Sequence, residues 1–587
     1  MKSFASLLAS LVVLTSISYG EEPAPRSKPL QDAFSPDVWR QEKRIVDLHQ
    51  HIEATPERIA RAMRILDPSG VGVGVNLGTG TTTHQEGEPS GFEQAKKVFD
   101  EQAPGRFIHS MVLDYGGWDA DDWSDKAVKQ IEEGHRLGAA GLKEYKRLGL
   151  FLRDGKGQLI KVDDPKLDPV WKRCGELGMP VSIHVGDPKA FWLPYDENNE
   201  RWTELKDHRN WWFGDPAVYP PRMDLLDALD RVIERHPGTT FVCVHFANNP
   251  EELEWVDATL DRLPNMYADI AARIPEVGRH DPEKVRKLFE KHQDRILFAT
   301  DFMVYGKLIL GSGGDAENPT DEDGREFFRK CWRWFETRDR NWAHMTPIQG
   351  NWLISSIDLP PEVCRKIYFD NARRLFARSL PLPIVTAKRI ERDFVPDGVL
   401  DEEAWSKATP VRLEYQSNSS VAKPELSTPV RVLWSDEYLY LAFEAPYTEL
   451  SVFPDPKTEE RIGLWDNDVV EAFIGSEPDK INRYTEYEWA PNGEFLDLKL
   501  DRPNADFPWS SGAEWKVKIN ETDHVWTVET RIPLKSLGDT KPKGGTRWKI
   551  NFYRHDRAAR AGLAFSPTLQ GSFHTPERFG WLEFTKD

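Results

Sequence analysis

Cysteine is scarce: Cys174, Cys243, Cys331 and Cys364 are the only four in 587 residues, and none forms a CxxC pair. A zinc knuckle is therefore excluded, and a chain this long needs no disulfides to build a core, so buried free thiols are expected. Surplus basic charge is also missing. The 96 acidic residues outweigh 77 basic ones, a formal charge of −19, which leaves nothing to neutralise a phosphate backbone; nucleic acid is not an expected partner. Long hydrophobic runs are absent beyond the first residues. There, Leu7–Ile17 is followed by Ser18-Tyr19-Gly20 and the polar Glu21-Glu22-Pro23, the pattern of a cleaved export signal over residues 1–20 and too short to span a bilayer comfortably. No membrane span is expected, and the protein is expected outside the cytoplasm, periplasmic or extracellular.

What is present is a chain with 39% hydrophobic and 11% aromatic residues, enough for more than one core. After a lead-in over 21–43, short β-branched runs alternate with segments of helical period, the pattern of repeated βα units. Candidate strands are Arg44–Leu48, Val71–Leu77, Phe107–Leu113, Ala140–Lys143, Pro180–His184, Thr240–His245, Met266–Ile270 and Ile296–Asp301. Eight parallel strands close a barrel. The stretch Pro188–Pro221 is too long for an ordinary βα loop and is expected at the barrel mouth. Its Trp192, Tyr195, Trp202, Trp211 and Trp212 could form an aromatic wall for a substrate or simply pack the loop. The proline-punctuated segment 379–385 reads as a connector. Beyond it, over 386–587, alternating runs such as Val430–Trp434, Val469–Ile474 and Val525–Arg531 describe an antiparallel sandwich. The expected architecture is α/β plus all-β: a (β/α)8 barrel over 44–378 followed by a β-sandwich.

Chemistry concentrates at predicted strand ends. Asp47-Leu48-His49-Gln50-His51 closes the first strand, and alternation puts His49 and His51 on one face, where both can reach one ion. An HxH tripeptide alone is a weak signal. His184, His245 and Asp301, however, each end another predicted strand, the edge at which barrels build active sites. Packing does not explain polar groups recurring there, because unpaired they would cost stability. A shared metal site is the expectation.

The pattern resembles the amidohydrolase-related proteins: HxH after the first strand, His184 after the fifth, His245 after the sixth, and Phe298-Ala299-Thr300-Asp301-Phe302 after the eighth. The segment Lys366–Leu375 also looks like that family's C-terminal helix. The resemblance implies that His49, His51, His184 and Asp301 hold a divalent ion, zinc being expected, while His245 acts as acid or base. Lys143 falls where binuclear relatives carry a carboxylated lysine. An ordinary salt-bridging role is expected for it instead, and hence one ion. Asp301 is also expected to take a proton from the attacking water. Arg147 and Arg273 are candidates for gripping a substrate carboxylate, or for surface ion pairs.

In the C-terminal half, Asp397–Trp405, Leu464–Glu471 and Phe573–Gly580 resemble family-nine carbohydrate-binding modules. That resemblance implies sugar held by Trp465 and Glu471, with Phe573 near the place of a second ring. Trp405, Trp434, Trp526 and Trp548 are expected to be core. Asp466 and Asp468 are read as solvated turn acids rather than calcium ligands. The resulting expectation is an exported metal-dependent hydrolase acting on an ester, lactone or amide of a carbohydrate-derived substrate, with glycan as partner of the rear domain. A decarboxylase on the same site and a non-catalytic glycan-binding protein are the alternatives.

Overall fold

The first barrel helix shows how local sequence sets the frame. Thr55 caps Pro56–Ser69 by accepting from the Arg58 amide, Pro56 occupies the first turn, and Ile59, Ala62, Ile65 and Leu66 form the buried stripe. Gly70 then reverses the chain at φ 82°; a Cβ there would lie 2.6 Å from Arg40 Cα, so glycine is required.

The computed structural model describes residues 27–585 apart from 187, 315, 458, 459 and 540. The export signal read over 1–20 lies outside the described residues. Parallel strands run as β1 (Ile45–Ile52), β2 (Val71–Asn76), β3 (Phe107–Val112), β4 (Gly141–Glu144), β5 (Val181–Ile183), β6 (Phe241–Cys243), β7 (Met266–Asp269) and β8 (Ile296–Leu297), each pairing with the next. The eighth strand is interrupted over 298–301 and resumes as β9 (Phe302–Val304), which pairs in parallel with β1 and closes the barrel. A short antiparallel return, β10 (Leu308–Leu310), extends β9. The helix Asp321–Glu336 opens on a Thr320/Asp323 capping box and packs on Pro56–Ser69.

The long loop is not a bare wall. Short turns at Lys189–Trp192, Trp202–Leu205 and Arg209–Trp211 divide it. Tyr195 contacts Trp202 and Trp212, and Arg209 lies 4.0 and 4.2 Å from the Tyr195 and Trp212 ring centroids. These rings interlock with one another and pack on the barrel core. Among the described residues no helix is long and apolar enough to cross a membrane, and all four cysteines are buried free thiols.

Strand Ile384–Arg389 starts inside the segment read as a connector. It pairs with Gly580–Phe584 through its first half and with Thr428–Trp434 through Lys388 and Arg389, so it passes between the two sheets. Its core includes Trp434, Trp526 and Trp548, while Trp405 sits in a smaller cluster.

The two domains meet through buried charge. Glu414 of the sandwich, fully buried, accepts from Arg44, from Arg365 Nη2 at 2.8 Å and from Ser427. Arg365 also donates to Asp370, which Tyr415 reaches at 2.8 Å. The Glu414 carboxyl is buried, which alone would raise its pKa, but Arg365, Arg44 and Arg412 together hold it far below the usual range. A depressed folded-state pKa means its contribution is present at neutral pH and lost only in strong acid. Glu414→Ala leaves buried guanidinium groups uncompensated and should lower the unfolding free energy at pH 7 by about 3–5 kcal/mol, read as a reduced urea midpoint.

Candidate functional site

The ends of β1, β6, β7 and β8 converge. His49 Nε2 and His51 Nε2 lie 3.2 Å apart. The Oδ1 of Asp301 is 3.4 and 3.5 Å from these two nitrogens and has no hydrogen-bond partner among the described residues. Pairing of β1 with β2 shifts register between Asp47 and Gln50, yet the two imidazoles still meet.

The other ring nitrogens set the tautomers. His51 Nδ1 lies 2.9 Å from the Leu77 carbonyl, which can only accept, so Nδ1 carries the proton and Nε2 a bare lone pair. His49 Nδ1 likewise faces Asp269 Oδ2 at 3.0 Å, the carboxylate–histidine arrangement that orients metal ligands. Burial, Lys143 and neighbouring histidines keep both rings neutral: the His51 pKa is lowered to about 3 and that of His49 well below its ordinary value. Two bare nitrogens and an unpartnered carboxylate oxygen facing one another repel unless a cation lies among them. This donor set fits a divalent ion.

Of the remaining strand-end residues, His245 shares this cluster and His184 lies beside His245. The ligand atoms of His49, His245 and Asp301 all lie within 4.8 Å of one another. His245, expected beside the ion, is thus within its reach, with Nδ1 2.9 Å from the Ala271 carbonyl. The His184 ring centroid is 4.5 Å from that of His245. Lys143, expected as an ordinary salt-bridging residue, instead has a buried Nζ with no hydrogen-bond partner among the described residues. Burial lowers its pKa to about 8 against the opposing pull of Asp269 and Asp301. Arg273 is buried and close enough to depress the His49 and His245 pKa values, whereas Arg147 lies over the Tyr115 ring and donates to Leu113 O and Glu144.

Backbone strain marks the centre. His245, Phe246, Ala247 and Asn248 run consecutively at φ 54–61°, and Asp301 has φ 61°, conformations costing about 1–2 kcal/mol each for non-glycine residues. Asn248 secures the turn, its Oδ1 accepting from Val185 N and Gly186 N and its carbonyl from Arg222. Asp47, Asp269 and Asn248 escaped the sequence reading as supports. Asp269 was reachable by the same strand-end rule, as the last residue of β7; the role of Asn248 depends on a fold-back that no local pattern encodes.

The sandwich carries a second polar cluster. Glu471 and Glu488 are direct cross-strand partners, and Glu486 lies two residues from Glu488 on the same face. All three are buried. Burial first, then repulsion from Glu486 and, for Glu488, from Glu471 as well, holds Glu471 and Glu488 well above the ordinary carboxyl range; burial raises Glu486 to about 7. Both Glu488 oxygens and Glu486 Oε2 lack hydrogen-bond partners among the described residues. Trp465 is 41% exposed, in a turn packed on the strand that bears Glu486 and Glu488, and its carbonyl accepts from His555. Phe573 stacks on Tyr553 at 4.2 Å, so one of its faces is covered. Gln416, Asn418, His555, Arg560, Gln570 and Phe573 border an adjoining cavity of about 450 Å³. Asp468, read as a solvated turn acid, is instead buried and accepts from Ser451 N and Arg557 N.

A closed (β/α)8 barrel gathering histidines and a carboxylate at its strand ends is the frame of a metal-dependent enzyme. The chain belongs to the amidohydrolase family: the model described as Amidohydrolase matches residues 46–378. A second, carbohydrate family 9 binding domain-like, matches 395–586. An "Extracellular protein" of Arthroderma benhamiae is 25% identical over 169 residues, 27% of this chain and 74% of that protein. Among solved structures, 2,6-dihydroxybenzoate decarboxylase from Rhizobium is 16% identical, covering 57% of this chain and 98% of that one, with a TM-score of 0.32. A family 9 carbohydrate-binding module from Caldicellulosiruptor kristjanssonii in complex with glucose is 19% identical, covering 35% and 97%, with a TM-score of 0.27.

Two outcomes follow. Asp269→Asn, which weakens the support of His49, should reduce metal affinity about 10–100-fold, while His49→Ala combined with His51→Ala should abolish stoichiometric metal; elemental analysis of purified protein checks both. A raised carboxyl pKa favours the fold below the unfolded-state value, and that advantage is lost as pH rises through the folded one. The thermal midpoint of Glu486→Gln should therefore gain on that of wild type between pH 4.5 and about 7.

Proposed function

We propose that this chain is an exported hydrolase that cleaves an ester, lactone or amide of a carbohydrate-derived substrate, with the sandwich tethering it to glycan. The observation that carries the barrel half of this reading is the meeting of His49 Nε2, His51 Nε2 and Asp301 Oδ1. In this reading these three atoms and His184 hold one divalent ion, zinc by the preference of imidazole and carboxylate donors for it. When bound, such an ion lowers the pKa of its water towards neutrality and polarises a carbonyl.

The residues around it divide the proton work. Asp301, beside the ion, accepts the proton of the attacking water on its carboxylate. His245, its Nδ1 proton fixed on the Ala271 carbonyl, presents Nε2 to take up a proton and pass it to the leaving group. Buried Lys143 and Arg273 keep positive charge beside the developing oxyanion in a poorly solvated site. Lys143 acts here as a charge, not as a bridge to a second ion.

Glycan binding is placed on Trp465, Glu471 and the open face of Phe573. Protonated carboxyls can both donate to and accept from sugar hydroxyls, and an exposed indole suits the apolar face of a pyranose. Export is proposed from the apolar start of the chain, in line with the name of the Arthroderma benhamiae relative.

His245→Ala should lower kcat/KM by about 10²–10⁴-fold with metal content unchanged. Product analysis over acetylated sugars, uronate lactones and aromatic acids should show acid release without carbon dioxide; stoichiometric carbon dioxide would replace hydrolysis by decarboxylation on the same residues. Trp465→Ala should weaken oligosaccharide binding about tenfold or more by loss of aromatic packing, measured by calorimetry on the full chain.

A further inference from the structure

A polar cavity of about 200 Å³ lies between the two domains, apart from both the metal centre and the glycan face. Its wall takes Arg44 and Arg373 from the barrel and Arg412 and Arg578 from the sandwich, with Glu42 as the one acid among its lining residues. Two of these arginines are neutralised. Arg412 Nε lies 3.0 and 3.1 Å from the two oxygens of Glu42, with Asp32 3.4 Å from its Nη2. Arg44 pairs with Glu414, whose charge Arg365 shares, and Arg365 in turn holds Asp370.

Arg373 and Arg578 differ. Among the described residues neither lies within ion-pair distance of a carboxylate. Arg578 donates Nε to the Pro567 carbonyl and Nη2 to that of Ala377, both at 3.2 Å, which satisfies protons without balancing charge. Arg373 places its guanidinium 5.3 Å from the Tyr415 ring centroid. Three further nitrogens in this wall, Arg44 Nη1, Arg412 Nη1 and Arg373 Nε, are buried without a hydrogen-bond partner among the described residues, Arg44 Nη1 lying 3.8 Å from Glu42, and the Arg44 and Arg412 side chains are only 9% and 5% exposed. Burying charged donors unsatisfied is costly. In a chain of net charge −19, surface acids were available to pair them.

We propose that this interdomain cavity binds an oxyanion of the sulfate or phosphate type, gripped by Arg373 from the barrel and Arg578 from the sandwich, with Arg44 and Arg412 behind them. The planar guanidinium fork donates paired hydrogen bonds to oxygens of such anions. A bound anion would neutralise both uncompensated cations at once and tie the domains together through ligands from each. The anion can arrive as the free ion or as the acidic group of a sulfated saccharide; the recognised chemistry is shared.

Calorimetry on the full chain tests this with sodium sulfate and with glucose 6-sulfate, against sodium chloride at matched ionic strength. Saturable binding of sulfate but not chloride is expected, weakened about tenfold in Arg373→Gln and in Arg578→Gln, with metal content unchanged. Arg373 makes no side-chain hydrogen bond to the described residues, so Arg373→Gln keeps the test open if Arg578→Gln fails to fold. Tighter binding of glucose 6-sulfate, lost in the same variants, supports the site with a saccharide source; binding of free sulfate alone supports it with the ion. Absence of saturable heat with either anion, or wild-type affinity in Arg373→Gln, overturns the proposal.

Discussion

Closure of the barrel between its first and last strands is the constraint on which the rest depends. The Asp301 amide donates to the His49 carbonyl at 2.9 Å and the Leu48 amide to that of Phe298 at 3.2 Å. Asp47 ties the same junction from within, accepting from Gln50 and His49 on its own strand and from Thr300 N and Oγ1 on the other. Those bonds bring His49, His51 and Asp301 together although some 250 residues separate them in the chain. A carboxylate buried at that seam is costly, and burial raises Asp47 to about 7; four hydrogen bonds offset part of the cost.

Around the seam, support is layered outward. Asp269 serves two ligand candidates, accepting from His49 Nδ1 through one oxygen and from the His245 amide through the other. The left-handed turn that carries His245 is held by Asn248, whose partners come from the loop after β5 and from Arg222. Strain is therefore confined to the backbone that must bend a ligand inward, and neighbouring loops over-determine it. The interlocked aromatics of the 188–221 insertion give the barrel mouth a packed rim.

The two domains use buried charge for opposite ends. At Glu414, guanidinium groups and carboxylates balance, and the network holds barrel and sandwich in one arrangement. On the sandwich face, Glu471, Glu486 and Glu488 are buried together and forced towards the protonated form. A protein that keeps such groups buried has not optimised that face for stability, which accords with a binding role.

By itself the sequence determined the architecture and singled out the residues of the candidate metal site. Periodicity switched from βα units to alternating strands, and strand-end positions picked out His49, His51, His184, His245 and Asp301, because local patterns report which faces a strand presents. Several things only the tertiary structure decided. Alternation could not show the register shift in β1, the break in the last strand over 298–301, or the strand hidden in the segment 379–385. Nor could it show that the buried Lys143 Nζ has no hydrogen-bond partner among the described residues, that Asp269 and Asn248 hold the centre, or that one face of Phe573 is taken by Tyr553. Each of these is a contact between residues far apart in the chain, set by packing and by the pairing of buried polar groups, and no local spacing encodes such partners.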